Sequence, residues 1–248
     1  VQFIDIAKKN GVKIVSVLHS NPIGGYDWIW QDALILRNQS FVEKLKRIAR
    51  IVLYPRTYKI AKESIINQFK LIKEGGSHIN VLSPRYIETV KRIDPQLTDI
   101  SAIANPNTYT EVNILKKENI VLYVGRVDNR VKRLELLIKI WNRIVSEANN
   151  WKLIIVGEGP DKAMLEKQAA GIDDIEFVGY QVPRQYYEKA SILCMTSLYE
   201  GFPMTLTEAM QHGCVPIAFD SFPAVYDIIT PGIDGEIVKA FDIKEYSN

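Results

Sequence analysis

Short apolar, β-branched runs alternate along this chain with segments that read as helices, and this alternation constrains the fold more than any other feature of the sequence. The strand candidates are residues 14–18, 79–82 and 100–104, then 120–124, 152–156, 175–178, 192–195 and 215–219. Near-continuous apolar runs are what strands buried on both faces look like, and parallel strands need a long, usually helical crossover. Helical segments fill the intervals: 38–74 with a break expected near Pro55, a short helix opening at Ser83-Pro84, then 133–148, 161–170, 184–190, 205–212 and 224–229. The pattern predicts an α/β chain with doubly wound parallel sheets, a class that binds ligands at the carboxyl ends of its strands. Asn105-Pro106-Asn107-Thr108 interrupts the pattern as turn residues do, before the charged Lys116-Lys117-Glu118. A boundary between them divides the chain into residues 1–113 and 114–248.

The charge divides in the same place. Residues 1–118 hold 18 Lys and Arg against 11 Asp and Glu, whereas residues 119–248 hold 13 against 18. A basic part beside an acidic one predicts two domains with different partners. Nothing in the sequence resembles a nucleic-acid module, and no nucleic-acid partner is expected. Phe41, Leu45, Ile48, Ala49 and Val52 fall on one helical face beside Lys44, Lys46, Arg47 and Arg50. That stripe fits either packing on its own sheet or lying on an anionic membrane. No apolar run reaches the roughly 18 residues that span a bilayer. Cys194 and Cys214 sit in apolar runs without a CxxC spacing, as buried reduced thiols do. A cytoplasmic protein is expected, peripheral at the inner face of the membrane if the basic domain touches lipid. The chain starts at Val1 and stops at Asn248, and both ends are expected to be cuts within a longer protein.

The segment 197–216 reads Ser-Leu-Tyr-Glu-Gly-Phe-Pro-Met-Thr-Leu-Thr-Glu-Ala-Met-Gln-His-Gly-Cys-Val-Pro. A buried strand ends just before it. Glu200 lies in the following loop, and Gly201, Phe202 and Pro203 shape a tight approach to a helix. The amides of Met204 and Thr205 open that helix and form an anion site reinforced by the helix dipole. Glu208 lies one turn in, on the face of Thr205. Amides for phosphate and carboxylates for hydroxyls thus converge. Two Glu residues alone would fit a capped helix with acidic first-turn residues equally well. The whole string resembles the Glu-x7-Glu signature of retaining glycosyltransferases of the family-4 type, the glycosyl transferases group 1 with the GT-B fold. The resemblance implies that Glu200 contacts donor-sugar hydroxyls, that Glu208 contacts the nucleotide ribose, and that amides from Phe202 to Thr205 hold sugar and diphosphate.

Other segments fit the same family. Gly125-Arg126 closes one strand, and Lys132 is expected at the start of the next helix. Alone they fit a solvated basic loop, but they resemble the family's diphosphate-binding pair. Two fixed cations there would stabilise the charge that develops on a departing diphosphate. Gly157-Glu158-Gly159-Pro160 is weak as a dinucleotide fingerprint. It resembles the family's turn beside the nucleotide, which places Glu158 near the donor. Tyr180 follows a third strand and fits a neighbour of the base or a surface tyrosine. His19 ends the first strand in a segment, residues 16–20, that resembles the acceptor-side loop whose histidine faces the donor sugar; a lone histidine is also commonly structural.

The resemblance implies two Rossmann-like doubly wound domains, the first incomplete at its N-terminus and the chain cut before the C-terminal helices. It implies transfer of a sugar from a nucleotide donor, expected to be UDP-linked, to a hydroxyl of a glycan or lipid-linked acceptor in polysaccharide or cell-surface glycan synthesis, with retention of configuration. The fragment alone is expected to be inactive. A nucleotide-sugar epimerase of the same fold and a non-catalytic sugar-nucleotide-binding module are the alternatives; a glycoside hydrolase fits less well, because it needs no phosphate cradle. The sequence has no Asp-x-Asp, Walker or HExxH pattern, so no metal and no cofactor are expected. Donor binding followed by calorimetry should therefore survive EDTA; a requirement for manganese or magnesium would contradict this.

Overall fold

A computed structural model describes residues 6, 9–22, 41–113 and 116–248, without the side chains of residues 41–44, 46, 47 and 50. The chain divides into two compact units, Val1–Ala104 and Asn105–Asn248.

Unit 1 contains a parallel sheet in the order β1-β2-β3, with β1 Val15–Leu18, β2 His78–Val81 and β3 Ile100–Ala102. Helix α1, Phe41–Glu74, precedes β2, and α2, Pro84–Ile93, follows it. Ser83 caps α2 by accepting a hydrogen bond from the Arg85 amide at 3.1 Å, and Pro84 fills the first helical position. Tyr86, Thr89, Val90 and Ile93 then fall on one buried face. The break expected near Pro55 does not occur, since α1 runs through it. Pro55 is exposed, so water can take the carbonyl that its ring leaves without a partner. The Thr57 hydroxyl also donates to the Leu53 and Tyr54 carbonyls at 3.2 and 3.0 Å. Of the apolar stripe on α1, Leu45, Ile48 and Val52 are 50, 57 and 71% exposed. The side chains of Phe41, Lys44, Lys46, Arg47 and Arg50 are outside the description, as are residues 38–40.

Unit 2 is built on six parallel strands: β4 Glu118–Val124, β5 Lys152–Val156, β6 Ile175–Gly179, β7 Ala190–Met195, β8 Val215–Phe219 and β9 Glu236–Val238. Their order is β6-β5-β4-β7-β8-β9. Successive strands run outward from β4 in one direction and then, from β7, in the other. The strand order therefore reverses between β4 and β7, where the loops leaving the two carboxyl ends diverge and open a crevice. The helices are α3 Asn129–Lys132, α4 Leu134–Ile144, α5 Lys162–Ala169, α6 Arg184–Lys189, α7 Met204–Gln211 and α8 Ile243–Tyr246. Trp141 of α4, 1% exposed, packs among Leu137, Leu153, Ile155 and Leu165, and its indole N–H reaches the Asp173 carbonyl at 3.0 Å.

Two further local expectations change. The helix expected over 133–148 begins at Leu134, and Lys132 closes the short α3 instead of opening the long helix. Arg133 between them has φ 55°, a conformation that costs an L-residue roughly 1–2 kcal/mol. Hydrogen bonds from the Thr196 hydroxyl to the Lys132 and Arg133 carbonyls, 3.0 and 3.3 Å, hold the turn. The segment expected as a helix over 224–229 is a 3-10 helix, Pro223–Asp227. Strand β9 and helix α8 complete the unit. Tyr246 of α8 anchors the chain end: its hydroxyl donates to the Ile217 carbonyl at 2.5 Å and accepts from the Met195 amide at 3.2 Å.

The loops after β4 and β5 lie against each other as if the sheet continued. The Gly125 amide donates to the Val156 carbonyl at 3.0 Å and the Val127 amide to the Glu158 carbonyl at 2.9 Å. A Cβ on Gly157 would stand 1.8 Å from the Gly125 carbonyl oxygen, and one on Gly159 would stand 2.3 Å from that of Val127. Backbone cannot yield as a flexible side chain can, so Gly157→Ala should cost at least the roughly 1–3 kcal/mol of overpacking. Gly171→Ala, at φ +84° with nothing within 4 Å, should cost about 1–2 kcal/mol from backbone strain alone. Urea unfolding of both variants should rank Gly157→Ala as the less stable; the reverse order would contradict the close approach.

Candidate functional site

The loops leaving β4 and β7 carry the charged residues that the sequence singles out, and the structure joins them. The Lys132 ammonium donates to Glu200 Oε1 at 2.5 Å, with the two side chains 24 and 13% exposed. This pair is shielded from the screening that reduces exposed pairs to about 0–1 kcal/mol. Its geometry follows from backbone ties. The Leu198 amide donates to the Val131 carbonyl at 2.7 Å, Thr196 bonds the end of α3 as above, and the Ser221 hydroxyl donates to the Ser197 carbonyl at 2.7 Å. The strand-end loop is thus pinned on both sides immediately before Glu200. Beneath it, the buried Tyr123 hydroxyl donates to the Arg126 carbonyl at 3.0 Å. Burial, with the nearby charges of Glu200 and Asp128 adding to it, pushes that phenol well above its usual pKa, so it remains a donor.

Arg126 is exposed in the loop after β4. With Val124, Gly125, Val156, Gly157, Glu158, Tyr180, Gln181 and Pro183 it lines a cavity of about 330 Å³, within the roughly 300–1,000 Å³ of small-molecule sites. The cavity sits at the carboxyl ends of β4, β5 and β6. Tyr180, 80% exposed, stands at its rim. Glu158 pairs with Lys162 at 2.6 Å. A larger cavity, about 430 Å³, is lined by Glu118, Asn119, Ile120, Asn150, Trp151, Lys152 and Asp174. It lies at the amino ends of β4 and β5, opposite the edge at which such sheets bind ligands.

Helix α7 begins at Met204 after the buried Pro203, and no side chain caps its first turn. Gly201, Phe202 and Thr205 are half-buried around this start. Glu208 is held on both oxygens: Thr108 donates to Oε1 at 2.6 Å and Tyr187 to Oε2 at 2.9 Å. His212 Nδ1 lies 2.8 Å from the Glu208 main-chain carbonyl. Its ring stacks on Tyr187 at 5.8 Å and meets the edge of Tyr109 at 4.8 Å. His19 follows β1 in unit 1 and is exposed. Thus Gly125, Arg126, Lys132, Glu158, Tyr180 and Glu200 fall at the carboxyl edge of one sheet, and Glu208 lies in the second turn of the helix that starts there. Tyr187, Tyr123 and Thr108 were missed. The first two look like ordinary core aromatics in sequence, and Thr108 looks like part of a polar turn.

Cys194 and Cys214 are buried and free, and burial pushes the Cys194 thiol up to about 12. Among the described residues no group of three His, Cys, Asp or Glu side chains could hold a metal ion, and no helix is long and apolar enough to cross a membrane.

Residues 107–248, more than half of the chain, match the model of the family described as glycosyl transferases group 1. The chain belongs to this family. Among curated glycosyltransferases, it is 30% identical over 190 residues to an uncharacterized glycosyltransferase of Haemophilus influenzae, covering 71% of this chain and 53% of the relative. It is 33% identical over 164 residues to the lipopolysaccharide 1,6-galactosyltransferase of Salmonella typhimurium, covering 60% of this chain and 44% of that enzyme. The chain therefore spans about half the length of these relatives. Solved structures share its fold, the GT-B fold. S. aureus TarM, in a complex containing UDP, matches with a TM-score of 0.71 at 21% identity over 95% of this chain and 42% of that one. The lipopolysaccharide outer core galactosyltransferase WaaB matches at 0.60 and 21% over 95% and 88%, and Anabaena HepE, with UDP and glucose, at 0.69 and 12% over 99% and 63%.

Proposed function

We propose that unit 2 binds a nucleotide-sugar donor, UDP-linked, and that the whole protein transfers the sugar with retention to a hydroxyl of a glycan or lipid-linked acceptor, with the first domain on the acceptor side and the second holding the donor. The observation that carries this reading is the meeting of Lys132 and Glu200 at the reversal of strand order. A cation for diphosphate and a carboxylate for sugar hydroxyls lie side by side where such sheets bind ligands. The cavity beside Arg126 accommodates the nucleoside, with Tyr180 at its rim near the base. Glu208 accepts from the ribose. Relatives named as lipopolysaccharide galactosyltransferases and fold neighbours solved with UDP support the donor class.

In this mechanism the bond between the anomeric carbon and the phosphate oxygen breaks, and negative charge gathers on the diphosphate. Arg126, Lys132 and the first amides of α7 stabilise that charge. Removing one such preorganised group costs roughly 10²–10³ in rate. The acceptor oxygen bonds the anomeric carbon from the face that the diphosphate leaves, and its proton passes to the departing phosphate oxygen. No protein nucleophile is needed. Glu200 orients the sugar hydroxyls, and His19 keeps the acceptor-side role that the family resemblance implies.

Calorimetric titration of the full-length protein with UDP and with uridine tests the assignment. Arg126→Ala and Lys132→Ala should each weaken UDP by roughly 1.5–3 kcal/mol, the range for hydrogen bonds to charged groups, and uridine by much less. Equal losses for both ligands would overturn the diphosphate role.

The two carboxylates should separate. Glu208→Gln should weaken UDP and uridine alike. Glu200→Gln should leave UDP affinity nearly unchanged while lowering turnover, because its contact counts mainly in the transition state. The opposite pattern would reverse the two roles.

A further inference from the structure

We infer that Tyr187 and Thr108 are positioning residues that aim the Glu208 carboxylate at two neighbouring ribose hydroxyls and so make the site select ribonucleotides over 2′-deoxyribonucleotides. The inference rests on the reading that Glu208 meets the ribose. It begins from the hydrogen bonds on this one side chain: Thr108 on Oε1 at 2.6 Å and Tyr187 on Oε2 at 2.9 Å. An ionised carboxylate offers about four acceptor positions. One donor on each oxygen leaves about one position per oxygen, both in the plane of the carboxylate. Two vicinal hydroxyls match a pair of acceptors so arranged; a single hydroxyl uses half of it.

A glutamate on a half-buried helix face would otherwise rotate about three bonds, and a ligand would have to halt that motion. Here the protein has already halted it. Tyr187 is fully buried at 0% exposure, and its ring is stacked on His212, which is itself tied to the main chain of Glu208. The phenol therefore cannot turn away from the carboxylate. Burial, reinforced by the Glu208 charge, raises the Tyr187 pKa, so the phenol stays protonated and donates across the physiological range. Thr108 reaches Glu208 from the segment before β4. That segment is fastened to the same face by the Gln211 amide on the Tyr109 carbonyl at 2.8 Å and by Arg184, whose guanidinium lies 5.8 Å from the Tyr109 ring centroid. Both donors are thus held by contacts independent of any ligand.

The test is calorimetric titration of the full-length protein with UDP and with 2′-deoxy-UDP, in the wild type, Tyr187→Phe and Thr108→Val. The wild type should prefer UDP by about tenfold or more, one hydrogen bond to a charged group. Each variant should lose most of that preference, by weakening UDP while leaving 2′-deoxy-UDP within about twofold. A merely structural role would lower both affinities together and keep their ratio. If the wild type prefers UDP and a variant keeps the full preference, that residue does not position Glu208, and the ribose reading stands without it. If the wild type does not distinguish the two nucleotides, the ribose reading of Glu208 fails and the inference falls with it. Thr108 is exposed, so Thr108→Val decides the matter even if Tyr187→Phe does not fold.

Discussion

Between β4 and β7 the strands of the larger sheet begin to be added in the opposite direction, and the loops leaving those two strands cannot cover each other. A gap at that edge follows from connectivity before any side chain is considered. The rest of unit 2 fills or frames it. Gly157 and Gly159 let the loop after β5 lie flat on the loop after β4 at distances that a Cβ would forbid. The left-handed turn at Arg133 ends α3 where Lys132 can face Glu200. The hydroxyls of Thr196 and Ser221 fix the loop after β7 from either side.

The two acidic residues of the Glu-x7-Glu string are held in different ways. Glu200 is paired with a cation, so its charge is matched by that of Lys132. Glu208 is held by two neutral hydroxyl donors, so its hydrogen bonds are directed but its charge is not cancelled there. In the proposed donor complex this difference suits their tasks. A diphosphate adds to the remaining donors of the Lys132 ammonium, while the free acceptor positions of Glu200 meet the sugar. The ribose adds to Glu208 without displacing anything.

Much of this was legible in the sequence, because apolar runs bounded by helical segments are what a parallel sheet requires. All eight strand candidates are strands. The Glu200–Glu208 spacing placed one carboxylate in a loop and the other inside a helix, as found. The departures have physical causes that a local pattern does not carry. Pro55 stays within a helix because its exposed turn tolerates the missing bond. Arg133 splits a helix because a threonine sixty-three residues later satisfies its carbonyl. Tyr187 and Thr108 reach Glu208 from 21 and 100 residues away, distances over which spacing says nothing about contact. Membership of the family explains why the site string could be recognised without them.

The central claim is that the edge where β4 and β7 part holds a nucleoside diphosphate, and a crystal structure of the full-length protein with UDP tests it most directly. The account predicts the distal phosphate against Lys132 and Arg126 at the start of α7, the ribose diol on Glu208, and the base in the cavity beside Tyr180. A nucleotide bound at the opposite edge, or one whose diphosphate touches neither Lys132 nor Arg126, would contradict it.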